Sequence, residues 1–282
     1  MSDTCATCGT KLGFARRLTG AKECPDCAAK SKADRQAADA EYRSLVASVA
    51  APTTDLTVLP TTLPALAQRA GMEPKTAREL SWRGLLAAFE RALADEVITR
   101  DEEARLEALA NALGFTESDV QQAIMEYRAP LFIAQVNDGR LPEFYSTRIM
   151  LKKNEVAHLE TAASLLKEVQ IREYRGGSRG VSFRIAKGVS YRVGASRGQM
   201  HVIGTEIQTQ DEGMLTVTSH RAVFAGTRKT VEVSFAKLLG LNVYNDAIQF
   251  HVSNRQNPSL FRVESGPMVA AAVNGATQRL DV

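Results

Sequence analysis

The chain has 282 residues, of which 44% are hydrophobic and 24% charged, and a net charge of +3. That length exceeds what one ordinary core organises and suits two or three, while the composition excludes wholesale disorder. Lys and Arg against Asp and Glu number 8 to 6 over residues 1–45, 9 to 15 over 46–145 and 18 to 11 over 146–282. An acidic middle thus precedes a basic end, which argues for separate modules and against one continuous polycationic surface. No run of about eighteen apolar residues occurs and no charged-then-apolar leader opens the chain, so neither a transmembrane helix nor a secretory signal is expected. The expected location is the cytoplasm.

All four cysteines fall in the first tenth of the chain, as Cys5-x2-Cys8 and Cys24-x2-Cys27 with fifteen residues between the pairs. Two Cys-x-x-Cys turns supply four thiolates to one ion, the ligand set of a closed structural zinc site. Gly9 and Pro25 stand where such turns tighten. A redox dithiol needs only one pair, and disulfides are rare in a cytosolic chain. Cys5, Cys8, Cys24 and Cys27 are therefore expected to hold Zn²⁺ in a saturated, non-catalytic role. The loop between the knuckles carries Lys11, Arg16, Arg17 and Lys22 around a single aromatic, Phe14. Those cations suit either a nucleic-acid-binding ribbon or a solvated loop offsetting the charge of about −2 on the tetrathiolate. The pattern Cys-x-x-Cys-Gly-x-x-Leu-Gly followed by a second Cys-x-x-Cys resembles small bacterial N-terminal zinc ribbons.

Residues 28–49 are rich in helix formers and free of Gly and Pro. Only Tyr42, Leu45, Val46 and Val49 gather on one side, which predicts an exposed spacer helix with a docked end. "AAPTTDLTVLPTTLP", with Pro52, Pro60 and Pro64, reads as a linker. A short helix is then expected between Pro64 and Gly71, and a longer one opened by Pro74 with Leu80, Leu85, Ala88, Phe89, Ala92 and Leu93 facing a core. Leu106, Leu109, Ala110 and Leu113 form another stripe, stopped at Gly114 with Phe115 packing back, and Thr116 to Asp119 has the form of a capping box. A calcium loop starting at Asp95 fails. Its third and fifth positions are Val97 and Thr99, and Arg100 stands where the turn requires Gly. These acids instead suit the N-terminus of the next helix. Residues 75–128 are similar to TerB-like tellurite-resistance domains, in which an acidic turn joins two helices. The resemblance implies a link to metal or membrane stress and transfers no site residue.

Beyond residue 150 the period changes to two. In "VSFRIAKGVSYRV" the apolar residues are all odd-numbered, and a three-residue turn at Ala186-Lys187-Gly188 would pair Ile185 with Val189 and Phe183 with Tyr191. Strands are expected near 202–209, 214–218, 221–226, 230–234, 241–245, 247–252 and 259–263, with a turn at Asn245-Asp246. A final helix would carry Val269, Val273, Ala276 and Leu280 on one face, plugging the open end of a curled sheet. Gly213, Leu215, Thr218, Arg221, Phe224 and Gly226 match Gly-x-Leu-x-x-Thr-x-x-Arg-x-x-Phe-x-Gly, a pattern resembling the central hairpin of bacterial pleckstrin-homology-like (GRAM-like) domains. That resemblance spans about residues 150–280 and implies a binding or assembly module. Arg175, Arg179, Arg184, Lys187, Arg192 and Arg197 could form an anionic-ligand patch there, or a solvated strand face with Arg stems over apolar neighbours.

No catalytic motif holds. Gly-x-Ser-x-Gly occurs around Ser178 and Ser196, the latter with Asp246 and His251 downstream, but a nucleophile elbow needs a strand before it and a helix after. His158, His201, His220 and His251 lack paired ligand spacing, and phosphate-loop and dinucleotide fingerprints are absent. The expectation is a multidomain α+β protein: zinc ribbon 1–30, spacer helix and linker 31–62, all-α TerB-like domain 63–145, and a pleckstrin-homology-like β barrel or sandwich with a C-terminal helix, 146–282. Its expected function is that of a non-enzymatic adaptor or scaffold binding protein partners. Nucleic-acid binding through the ribbon and the Arg-rich hairpin, and membrane-surface binding through the β domain, are the alternatives. A homo-oligomer held by the β-rich region stays open.

Overall fold

The computed structural model describes residues 4–175, 181–186, 189–193, 199–253, 255 and 257–279. The chain is a multidomain α+β protein that divides into two compact units, residues 1–138 and 139–282.

The first unit is helical beyond a small N-terminal knot. Helix α1 (Phe14–Leu18) is a single turn, and α2 (Pro25–Ser48) runs 24 residues, about 36 Å at 1.5 Å per residue. The first half of α2 is polar, whereas Ala38, Tyr42, Val46 and Val49 near its end are buried, as the clustering of apolar residues predicts. Tyr42 Oη lies 2.9 Å from Ser81 Oγ and donates to the Ala77 carbonyl at 3.0 Å, fixing α2 against α4 (Pro74–Ala92). Gly84 makes that crossing possible, because a Cβ there would stand 2.7 Å from Val46 Cγ1.

The expected linker is not one. Residues 56–58 form a turn of 3-10 helix and α3 extends over Leu59–Ala70, with Leu59, Leu63 and Leu66 in the helical core. Pro60 lies in the first turn, where its missing N–H costs nothing. Pro64 sits inside the helix and removes one backbone bond. Three buried leucines at about 1.5–3 kcal/mol each outweigh a proline penalty of about 3 kcal/mol. Arg105 Nη2 donates to the carbonyls of Ala51 and Thr54 at 2.9 and 3.0 Å, which pins the preceding loop. Gly71 then ends α3 at φ +63°, where a left-handed residue is needed.

Helices α5 (Arg100–Ala112), α6 (Glu117–Glu126) and α7 (Arg128–Asn137) complete the unit. Both α5 and α6 begin with a capping box, Thr99 with Glu102 and Thr116 with Asp119. Asp101, Glu102 and Glu103 occupy the first turn of α5, the place expected for those acids. Trp82, the only tryptophan, meets Phe115 edge-on at 5.3 Å, and the Arg78 guanidinium lies over the other side of this contact, 5.2 Å from the Phe115 centroid and 2.7 Å from Asp119. Thr116→Ala, which removes the α6 cap beside this cluster, should cost about 1 kcal/mol of helical-unit stability. Denaturant unfolding followed by Trp82 fluorescence would read that cost without interference from the second unit.

The second unit is a seven-stranded antiparallel sheet in the order β6-β5-β4-β1-β9-β8-β7. Its strands are β1 (Ala157–Arg175), β4 (Gln199–Thr218), β5 (Arg221–Gly226), β6 (Thr230–Ser234), β7 (Leu238–Val243), β8 (Ala247–Val252) and β9 (Ser259–Val263). Helix α8 (Gly266–Gln278) buries Met268, Val269, Ala272, Val273 and Ala276; Leu280, expected on that face, lies outside the described residues. The sheet curls strongly. Phe224 on β5 and Phe261 on β9 are three positions apart, about 14 Å in a flat sheet, yet their ring centroids are 5.5 Å apart.

Strand β1, with "AHLETAASLLKEVQIREYR", was not expected from its helix-forming composition. Pairing with β4 along its length, and with β9 over Ala163–Leu166, makes it a strand. Beyond these limits, Lys167–Arg175 and the facing part of β4 pair only with each other among the described residues, as a two-stranded arm. A separate hairpin, β2 (Val181–Ala186) with β3 (Val189–Val193), follows β1. It pairs Phe183 with Tyr191 as expected, but joins Ala186 to Val189. A register shift between Arg184 and Ala186 leaves Ile185 out, in place of the expected Ile185–Val189 pair.

Candidate metal centre

The first Cys-x-x-Cys sits in the turn of a miniature hairpin bridged at Thr4 and Lys11. The Cys5 amide donates to the Thr10 carbonyl at 2.8 Å and the Gly9 amide to the Cys5 carbonyl at 3.0 Å, with Gly9 at φ +72° where a side chain would be strained. The second pair opens a helix. Cys24 is the N-cap of α2 and Pro25 its first residue, so Cys27 lies in the first turn, and the Cys27 amide donates to Cys24 Sγ at 3.4 Å. A bond from the Ala6 amide to the Lys22 carbonyl at 2.9 Å, and one from Arg16 Nη1 to the Glu23 carbonyl at 2.6 Å, tie the two turns together.

The four sulfurs converge. All lie within 4.8 Å of one another, Cys8 Sγ and Cys24 Sγ are 3.7 Å apart, and none is in a disulfide. Backbone amides and the α2 N-terminus stabilise negative sulfur here. The Cys24 amide, donating to Cys5 Sγ at 3.2 Å and aided by that of Cys8, holds the Cys5 thiol down at about 6 against the upward push of burial. The Thr10 hydroxyl beside Cys8 lowers that thiol, while Cys27 is pushed up by the neighbouring Cys24 and Cys8 sulfurs. Four sulfurs this close repel one another as thiolates unless a cation sits among them, and the arrangement is that of a metal site. Leu12 is the one carbon side chain buried with them. Among the described residues no other group of His, Cys, Asp or Glu converges in this way, the acids of residues 95–103 included.

Exposed beside the centre is a feature that the residue pattern did not single out. Phe14 and Leu18 of α1 stand one helical turn apart and are 73% and 72% exposed. Their i, i+4 spacing inside a basic loop was the available signal. Of the loop cations, Lys11 and Lys22 lie nearer the surface, whereas Arg16 and Arg17 are half-buried and Arg16 holds the Glu23 carbonyl.

The family-like hairpin has an internal explanation. Gly213 and Gly226 are a cross-strand pair, and a Cβ on Gly213 would run into the Ala225 carbonyl, one on Gly226 into the Asp211 carboxylate. Leu215 and Phe224 are core residues. Arg221 Nε and Nη2 donate to Glu155 at 2.8 and 3.0 Å, Nη1 donates to Glu232 at 2.7 Å, and Nη2 donates to the Met150 carbonyl at 2.8 Å. The Thr218 hydroxyl completes the cluster at 2.6 Å from Glu155 Oε1. Every polar group is spent inward, so Arg221 is an internal tie and offers nothing to a ligand. Asp211 likewise accepts from Thr227 Oγ1 at 2.6 Å and from the Arg228 and Lys229 amides at 2.8 and 2.7 Å, ordering the β5–β6 turn.

The remaining candidates divide. Ser178, Ser196, Arg179, Lys187 and Arg197 lie outside the described residues. Arg175 ends β1, and the ladder places Arg184 opposite Ser190 and Arg192 opposite Ser182. His158 is buried, its Nδ1 2.7 Å from the Pro142 carbonyl, a contact that suits a core histidine. Asp246 is exposed in the β7–β8 turn and His251 lies on β8. In the helical unit, a cleft of about 630 Å³ is lined by Phe89, Leu106, Leu131 and Phe132 together with Glu107 and Glu117. No helix among the described residues is long and apolar enough to cross a membrane. No protein-family model matches the sequence, and no curated protein is significantly similar to it.

Proposed function

We propose that the chain is a non-enzymatic adaptor whose zinc-pinned N-terminal ribbon presents an apolar contact to a protein partner. Zinc is the ion that suits the centre. Four thiolates at about 2.3 Å in a tetrahedron have sulfur–sulfur edges of about 3.8 Å, against the 3.7 Å between Cys8 and Cys24. A site closed by four sulfurs leaves no position for substrate, so its contribution is folding. The observation that carries the adaptor reading is the exposure of Phe14 and Leu18 on a segment too small to hold them inside. Two large apolar side chains one turn apart, on a loop that also carries the exposed Lys11 and Lys22, suit an apolar groove with an acidic rim on another protein. The meander order of the seven strands, followed by a terminal helix, supports a pleckstrin-homology-like reading of the second unit. The first unit is read as TerB-like on its acidic α4–α5 connection, and with it comes a stress-response setting.

Crosslinking in native cells, from a photoreactive residue at Lys11 or Thr19, tests the reading. A defined partner should be captured by the full chain and lost in a Phe14→Ser/Leu18→Ser variant that keeps its bound metal. Capture that is indifferent to those two residues would defeat it. The loop cations favour nucleic acid as a second reading. Contact with about four phosphates predicts a log–log salt slope of roughly −3 to −4, and a flat mobility-shift titration at low salt would remove it.

A further inference from the structure

Strand β7 is an edge of the seven-stranded sheet, and apart from a bulge between Leu238 and Gly240 it lacks the usual protection. From Leu238 to Asn245 it contains no charge and no proline. Leu239, Val243 and Tyr244 are 73%, 45% and 50% exposed, grouping three of the large exposed hydrophobics of the molecule on one short segment. The hydrogen-bond phase of the β7–β8 ladder shows which backbone groups are left over. The Tyr244 amide donates to the Ala247 carbonyl at 2.9 Å, and the register continues Val243↔Ile248, Asn242↔Gln249, Leu241↔Phe250. Bonded and non-bonded pairs alternate in an antiparallel ladder. Tyr244 and Asn242 therefore bond inward to β8, and the N–H and C=O groups of Leu241 and Val243 point away from the sheet. Among the described residues no strand takes them up. The edge is also held in place. The Gly266 amide donates to the Asn245 carbonyl at 3.0 Å, and a Cβ on Gly266 would collide with the Tyr244 and Ala247 carbonyls, so α8 fixes the turn at the end of β7.

We infer that β7 pairs antiparallel with β7 of a second copy of this chain, about a two-fold axis through Leu241. The charges flanking the strand select this occupant. Lys237 precedes β7 and Asp246 follows it, both exposed, with no side-chain partner for either among the described residues. A two-fold through Leu241 runs the two strands in opposite directions, which brings the Lys237 end of each copy to the Asp246 end of the other. Two such pairs bracket an uncharged strand. Parallel pairing would instead set Lys237 beside Lys237 and Asp246 beside Asp246, which like-charge repulsion disfavours. On the axis, the two Leu241 residues exchange both main-chain bonds, and the exposed Val243 of each copy lies toward the bulged Leu238–Gly240 stretch of the other. This assembly goes beyond the adaptor reading and does not depend on it. If both hold, the dimer presents two ribbons and binds a repeated partner with avidity.

Sedimentation velocity of the full metal-loaded chain, from about 1 to 200 μM, tests the assembly. The expected result is a concentration-dependent monomer–dimer equilibrium. Val243→Pro removes an N–H that the chain's own fold does not use, so it should abolish the dimer and leave the far-UV spectrum and melting temperature nearly unchanged. Leu241→Lys should do the same by placing like charges on the axis. Lys237→Glu should weaken the dimer about tenfold or more, and Lys237→Glu/Asp246→Lys should restore it. A monomer throughout the range overturns the inference, as does a dimer that survives both Val243→Pro and Leu241→Lys. A monomer whose β7 edge takes up an added strand-forming peptide assigns the edge to a foreign strand and likewise overturns it.

Discussion

Arg221→Ala should destabilise the second unit by about 3–5 kcal/mol, the loss expected when one partner of a buried ion pair is removed and the other stays. The Glu155 side chain is fully buried and that of Arg221 only 10% exposed. Deleting the guanidinium leaves the Glu155 carboxylate in the interior with the Lys152 amide at 2.6 Å and the Thr218 hydroxyl as its remaining partners. It also takes one partner from Glu232, which keeps Lys152 at 3.2 Å, and frees the Met150 carbonyl, so the segment before β1 loses its Arg221 tie to β5. Urea unfolding followed by far-UV circular dichroism would show the second unit melting early while Trp82 fluorescence reports an unchanged first unit. A loss under about 1 kcal/mol would mean that the cluster is wet and not the tie described. Replacing both partners by apolar residues of similar size should recover most of the loss, because the cost arises from the uncompensated charge.

Acid separates this effect from simple loss of packing. Burial pushes the Glu155 carboxyl up, but the Arg221 guanidinium, the Lys152 amide and the Thr218 hydroxyl together outweigh it and bring it from 4.5 to about 2. A carboxyl held below its ordinary range takes its proton less readily folded than unfolded. Its contribution is therefore complete above about 4.5 and is lost as the pH falls toward about 2. In Arg221→Ala the largest downward influence is gone, and burial weighs more against the Lys152 amide and Thr218 hydroxyl that remain. The variant should regain ground on the wild type below pH ~4.5, and the gap between their stabilities should narrow there.

What the residues disclosed before any coordinates follows from how local each signal is. The metal ligands, the Gly114 stop and the Thr116–Asp119 cap are set within a few residues, and each takes the expected form. The strands from Arg221 to Val263 and the face of α8 were legible for the same reason, since alternation and turn residues fix them locally. Strand β1 was not legible. Its Ala, Leu, Glu and Lys favour a helix, and only partners distant in sequence, such as Leu215 opposite Thr161, override that preference. Helix α3 was hidden by a stretch with three prolines and five threonines, because the leucines that outweigh them are informative only once α2 lies alongside. Thr218 and Arg221 were recognisable as a pattern, but Glu155, their main partner, lies more than 60 residues earlier in the chain. The exposed pair Phe14 with Leu18 and the β7 edge are defined by what fails to cover them. No periodicity reports that.

Stripping the metal, or replacing Cys24 by serine, should unfold residues 4–24 as a unit while the helical core stays intact. Among the described residues the folded knot buries only Leu12 beside the sulfurs Cys5 and Cys24, with Cys27 partly buried against them. A single leucine supplies about 1.5–3 kcal/mol, far less than the cost of ordering some twenty residues at about 1–2 kcal/mol of backbone entropy each. A structural zinc ion contributes about 10–16 kcal/mol of apparent binding energy at neutral pH, and backbone bonds between the knuckles add to it. Serine at position 24 keeps the backbone amide that reaches Cys5 Sγ and supplies an oxygen able to cap α2, so fraying of the first turns of α2 follows from loss of the ion and not from loss of the cap. That fraying should stop before Tyr42, where the hydroxyl contacts to Ala77 and Ser81 hold the helix. Three measurements decide it together. Elemental analysis should find one zinc per chain, thiol titration should count four free sulfurs only after chelation, and hydrogen exchange should lose protection from Cys5 through Cys27 with Trp82 fluorescence unmoved. Because the thiolates must shed their protons to bind, retention of the metal should weaken as the pH falls. Material that carries no metal yet protects Cys5 and Ala6 amides fully would refute a knot pinned by an ion. Loss of the Trp82 signal on chelation would show that the knot and the helical core fold as one.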